Sequence, residues 1–205
     1  MSDKIENNLK NILDSLPSEK IDGKEILIEM KNNNQQYKQL EYQAFYFEDY
    51  INSKLDDDFE KHKFKNGTCV IDTFYEYPID IKAHDINENL CPLNDGATIE
   101  KAINDYGKFG LIVLNLEYEK DDGTLRAFQK ELGGNKSSFK NTSGKHRAIK
   151  KNFLVKNIEY YEITDVSQLK KFNQGKNSNG KPRPYKYNLD TSEVKSTIHI
   201  DKEAV

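Results

Sequence analysis

The chain has 205 residues, of which 36% are apolar and 32% charged, and a formal net charge of −3. That length accommodates one compact domain with a substantial core, and no apolar run approaches the ~18 residues of a membrane crossing, so no membrane partner is expected. The amino terminus, Met-Ser-Asp-Lys-Ile-Glu, lacks the basic and apolar regions of a signal peptide, which points to the cytoplasm.

Ile5, Leu9, Ile12, Leu13 and Leu16 recur at helical spacing before Pro17 and predict an N-terminal helix. Residues 24–31 suit a strand or a helix equally. After the Asn32-Asn33-Asn34 break, Tyr37, Leu40, Ala44, Phe45, Ile51 and Leu55 predict a long amphipathic helix from about Gln35 to Phe59. Gly67 opens a predicted β-hairpin with strands near 68–74 and 78–84, Pro78 being tolerable at a strand start. Residues 91–96, Cys-Pro-Leu-Asn-Asp-Gly, read as a turn-rich loop, after which Thr98 is placed to cap a helix containing Ile99, Ala102 and Ile103. Residues 111–118 are apolar enough for a central strand, and Asp122-Gly123 reads as a hairpin turn into 124–128. Next come a Gly/Ser/Thr/Lys loop at 137–145, a strand at 153–163 and a second loop at 175–183. The order helix, strand, strand, helix, strand defines an α/β protein. Cys69 and Cys91 are the only cysteines and have no closely spaced partners, so structural zinc is not expected.

The predicted hairpin carries the densest chemistry. Asp80 and Lys82 are two apart on an alternating strand and share a face, while Ile79 and Ile81 point to the other. Asp72, eight residues earlier, folds back beside Asp80 if the turn runs through Tyr75 to Tyr77. Two carboxylates side by side suit a hard cation such as Mg²⁺, and an adjacent ammonium can orient or activate a water. The tripeptide itself is weak, since roughly five acidic-x-Lys matches are expected by chance. Four occur: Asp22-Gly-Lys24, Glu29-Met-Lys31, Asp80-Ile-Lys82 and Glu193-Val-Lys195. The helix and apolar strand after Asp80 favour the Asp72/Asp80/Lys82 set; Asp22/Glu29/Lys31 stands as the alternative.

With this hairpin, the helix containing Glu41, the helix after Gly96 and the strand from Leu111, residues 35–118 resemble the type II restriction endonucleases of the PD-(D/E)XK superfamily. The resemblance implies a mixed central β-sheet flanked by helices. Asp80 matches the acid and Lys82 the lysine of the (D/E)-x-K element. Asp72 matches the upstream acid, although no proline precedes it, which leaves Asp58 as a substitute. Glu41 matches the helical glutamate that some members direct to the metal. By the same resemblance, Asp72, Asp80 and the carbonyl of Ile81 hold Mg²⁺, and the protein is a site-specific deoxyribonuclease acting as a homodimer. One domain spans 1–205, with a helical part at about 1–60, a catalytic core at about 35–165 and basic loops at about 135–151 and 170–187.

Charge distribution fits a double-stranded DNA partner. Residues 136–151 carry six Lys/Arg and no acid, as do residues 170–186, leaving 19 basic against 34 acidic residues in the remainder. Such segregation builds one face for a polyanion. Lys136, Lys140, Lys145, His146, Arg147, Lys150, Lys181 and Arg183 are the expected DNA contacts, and Arg183, between Pro182 and Pro184, is the expected base reader. Another nuclease on the same core, or a non-catalytic DNA-binding module, would explain the same features.

Overall fold

The computed structural model describes residues 2–134, 149–177 and 179–202. Its first half supplies three helices: α1 (Ser2–Ser15), α2 (Gly23–Asn32), preceded by the short strand β1 (Ile21–Asp22), and α3 (Tyr42–Lys54). The ambiguity at 24–31 resolves to helix because Asp22 caps it, its side chain accepting from Lys24 N at 2.9 Å. α3 is shorter than the helix predicted over 35–59.

Five strands succeed α3: β2 (Lys65–Asn66), β3 (Cys69–Val70), β4 (Thr73–Tyr75), β5 (Tyr77–Asp85) and β6 (Leu90–Asp95). α4 (Gly96–Tyr106) leads into β7 (Phe109–Lys120), then α5 (Thr124–Glu131), β8 (Lys150–Ile163), β9 (Lys170–Phe172), β10 (Lys186–Asp190) and β11 (Ile198–Asp201). Two expectations are overturned. Residues 91–96 are mostly strand β6 rather than loop, and Asp95, not Thr98, caps α4, accepting from Thr98 N at 3.1 Å. Residues 124–128 begin a helix instead of a hairpin strand, because the Asp121 carboxylate takes the N–H groups of Leu125 and Arg126, each at 3.0 Å.

The principal sheet runs β1-β8-β7-β5-β4, with β11 also on β8. β5 and β7 are parallel and the other neighbours antiparallel, so the sheet is mixed. Alternation along β7 divides its side chains between two cores. Ile112, Leu114 and Leu116 pack with α1, α2 and α3, whereas Leu111 and Val113 pack with Ile99 and Ala102 of α4 and with Leu93 and Leu189 of a smaller sheet, β6-β10-β9. The chain is therefore a mixed α/β protein whose sheet is flanked by helices. Among the described residues, no helix is long and apolar enough to cross a membrane.

Candidate active site

β5 is nine residues long, but β4 pairs only with its first three, Thr73 opposite Ile79 being the last rung. At that point the chain preceding β4 leaves the ladder. Asp72 stays across the exposed edge by side chain: its Oδ2 accepts from Ile81 N at 2.8 Å, replacing the carbonyl a neighbouring strand would supply. The Asp72 carbonyl in turn accepts from Asn52 Nδ2 of α3 and from His62 N, each at 3.1 Å. A strand that ends early thus turns an unpaired sheet edge into a carboxylate anchor.

Asp80 and Lys82 share the β5 face opposite Ile79 and Ile81, as their spacing predicts. Lys82 Nζ is the centre of the cluster. It lies 2.9 Å from Asp80 Oδ2, 3.3 Å from Glu48 Oε1 and 3.9 Å from Asp72 Oδ2, and donates to Ile81 O at 2.7 Å. Asn94 of β6 completes it by donating Nδ2 to Asp80 Oδ1 at 2.9 Å. Asp80 is fully buried. Its Oδ2 meets Lys82 as an ion pair without hydrogen-bond alignment, so a buried carboxylate oxygen keeps acceptor capacity to spare.

Three carboxylates surround one ammonium. Burial raises the Asp80 carboxyl well above the usual range, with Lys82 opposing and Asp72 reinforcing the shift. Glu48 is raised as well, burial outweighing the attraction of Lys82. For Lys82, burial alone would favour the neutral amine, but Asp80, Glu48 and Asp72 reverse this and hold it protonated.

The cluster forms one wall of an open cleft of about 650 Å³, whose other walls include Glu41, His84, Asp85, Tyr118, Lys150 and Lys186. Glu41, the expected helical acid, is at the N-cap position of α3 and lines this cleft without joining the cluster. Glu48 is the glutamate that meets Lys82. It lies seven residues further on, two turns along the same helical face, so the face was legible and the turn was not. Asn94 was missed because 91–96 resembles a turn.

The alternative set does not assemble. Glu29 and Lys31 lie on helix α2, where residues two apart face opposite sides, and Glu29 accepts from Tyr46 Oη at 3.1 Å. Asp58 pairs with Lys4 of α1 and is not among the cleft residues. His84 is buried, its Nε2 paired with Glu88 O at 2.8 Å. Lys150 lies over the Tyr118 ring at 3.6 Å, and burial lowers its pKa to about 8 against the opposing pull of Asp85 and Glu88. Lys181 and Arg183 are exposed on the segment between β9 and β10. Lys136, Lys140, Lys145, His146 and Arg147 lie outside the described residues.

Among the described residues, no three His, Cys, Asp or Glu side chains are gathered into a ready metal cage. The oxygens that face Lys82 are nevertheless the hard donors Mg²⁺ takes, and the spare acceptor on Asp80 fits that use. Comparison with protein-family models, with curated proteins and with solved structures finds no match to this chain.

Proposed function

We propose that this protein is a Mg²⁺-dependent deoxyribonuclease of the restriction-endonuclease type, built on a PD-(D/E)XK core and cleaving phosphodiester bonds in duplex DNA at a short specific site. The observation that carries the reading is the convergence of Glu48, Asp72, Asp80 and the Ile81 carbonyl on Lys82 Nζ at the wall of an open cleft. A purely structural ion cluster would balance its charges. This one sets three carboxylates against one ammonium, an excess that a divalent cation would neutralise.

Asp72, Asp80 and Ile81 O would hold the ion, with Glu48 beside them. The bound Mg²⁺ would supply Lewis-acid stabilisation of charge on the scissile phosphate and the leaving oxygen. Asp72 is fixed in place by the Ile81 N–H and Asp80 by Asn94, so two anionic oxygens are pre-oriented. Lys82, freed from its carboxylate contacts, would orient the attacking water and balance charge at the phosphate. His84, tied to the Glu88 carbonyl, takes no part in proton transfer. A two-fold symmetric site would be met by a homodimer.

Digestion of a mixed-sequence plasmid with and without Mg²⁺ tests the reading. Discrete fragments that disappear in Asp80→Asn are expected. Nicking that tracks DNA structure rather than sequence would assign a repair-type nuclease, and intact DNA would leave a binding module.

A further inference from the structure

The segment between β9 and β10 is a two-stranded antiparallel ribbon. Lys170 pairs with Asn188, Lys171 with Tyr187 and Phe172 with Lys186 in the small sheet, and Lys176 pairs with Pro182 in the same register further out. Arg183 N donates to Gly175 O at 2.9 Å and Asn177 N to Lys181 O at 2.8 Å. Gln174 Nε2 bonds the Pro184 carbonyl at 2.8 Å, holding the strands together where regular pairing lapses. Gly180, with φ at +79°, supplies the left-handed residue of the tip. Beyond the Phe172–Lys186 rung each strand extends five residues, on the order of 15 Å.

Its root is fixed beside the cleft. Tyr185 Oη and Tyr187 Oη donate to the two oxygens of Glu100 on α4, at 2.8 and 2.6 Å, and Gly96 N donates to Tyr185 O at 2.9 Å. The Tyr185 ring fills the space a side chain at position 96 would need. Lys186 lines the cleft itself.

Its charge is unlike that of the body. Lys20, Lys108, Lys151 and Lys156 pair with Glu119, Glu162, Asp122 and Glu117. Lys170, at the base of the ribbon, is likewise held by Asp190 and Glu193. Further out, Lys176, Lys181 and Arg183 are exposed, and among the described residues no carboxylate pairs with any of them. The ring of Phe172, half exposed, lies at the start of the projecting part.

We propose that the ribbon 172–186 is a DNA arm that enters the major groove next to the cleft, with Arg183 as its base-reading side chain and Asn177 as the residue that positions it. The choice of partner rests on the reading of the cleft as a DNA hydrolase. A two-stranded ribbon fits the roughly 12 Å major groove of B-form DNA, whereas the deep, narrow major groove of duplex RNA excludes it. Arg183 Nε donates to Asn177 Oδ1 across the ribbon at 3.1 Å, which directs the guanidinium while leaving its terminal nitrogens for a guanine edge. Pro182 and Pro184 restrict the backbone on either side and remove N–H groups that could pair with another strand.

The test is binding of a random 24-bp duplex DNA pool in EDTA, by fluorescence anisotropy across a salt series. Replacing Lys176, Lys181 and Arg183 together by Gln should weaken binding at least about tenfold and flatten the log–log salt slope by nearly three, at about 0.9 per lost phosphate contact. Circular dichroism should be unchanged, since all three residues are exposed. An unaltered slope overturns the arm, as does wild-type protein that ignores duplex DNA or binds duplex RNA as well. For the reading role, sequences are selected from the pool with Ca²⁺ present. Asn177→Ala should lose preference for guanine at one position while pool affinity stays within about twofold; an unchanged preference, or a uniform loss, overturns the positioning role. The two proposals fail separately: arm-dependent binding without Mg²⁺ cleavage removes the hydrolase alone, and cleavage with an arm-independent salt slope removes the arm alone.

Discussion

Asn94 and Asp80 join two sheets that share no strand: the amide on β6 donates to the carboxylate on β5 at 2.9 Å. The bond fixes which Asp80 oxygen faces Lys82. Asn94→Ala should therefore lower cleavage and Ca²⁺ affinity by about 10- to 100-fold, the usual cost of losing a hydrogen bond that orients a metal ligand. Calorimetric Ca²⁺ titration checks this apart from turnover. Unchanged Ca²⁺ affinity would show that Asp80 does not need the amide.

Lys82 neutralises part of a buried negative cluster, so its removal should be felt in stability before it is felt in catalysis. Lys82→Met leaves Glu48, Asp72 and Asp80 facing one another and should cost about 3–5 kcal/mol at neutral pH. Mg²⁺ or Ca²⁺ should then raise the melting temperature of the variant more than that of the wild type, because the cation takes the place of the ammonium. Equal shifts in differential scanning calorimetry would mean that no cation enters the cluster.

Lys150 is exceptional among the lysines here. Burial against Tyr118 brings its pKa to about 8, although Asp85 and Glu88 pull the other way. Near pH 8 about half of it is the free amine, so it should acylate faster than exposed lysines, which stay protonated to about pH 10. Timed acetylation with peptide mass spectrometry gives the order. Between about pH 8 and 10 the unfolded chain binds the extra proton, so this residue's contribution to stability rises with pH across that window.

The sequence makes some parts of this site legible and hides others for physical reasons. A period of two places Asp80 and Lys82 together on any strand, and the short turn at Glu76, in the left-handed region with φ at +61°, brings Asp72 back alongside. Glu48 is hidden because a helix repeats its face every seven residues, so Glu41 and Glu48 look alike until packing chooses the turn. Asn94 is hidden by Pro92 and by Asp95-Gly96, which signal a turn. β6 tolerates the proline because it is an edge strand of the small sheet. The ribbon is hidden for the same kind of reason: Gly, Asn and Pro at 175–184 mark a loop, while pairing continues through them.

His199 offers a pH test on the far edge of the principal sheet. It lies on β11 opposite Glu159 of β8, with Nδ1 2.9 Å from Glu159 Oε1 and Nε2 3.1 Å from Asp201 Oδ1. Glu159 also accepts from Asn115 Nδ2 and Tyr161 Oη, so it is held in place to receive the imidazolium. The hydrogen bond to Glu159 raises the His199 pKa, burial opposes it, and Asp201 adds to the rise. A histidine raised on folding stabilises the fold fully below its unfolded value of about 6.5 and loses that contribution as pH climbs through the raised folded value. Amides of β11 should accordingly be better protected from hydrogen exchange at pH 5.5 than at pH 8.5, after correction for intrinsic rates. His199→Asn should abolish the difference, since it keeps a polar side chain but does not titrate. Equal protection of wild-type β11 at both pH values would remove His199 as the group that fastens this edge.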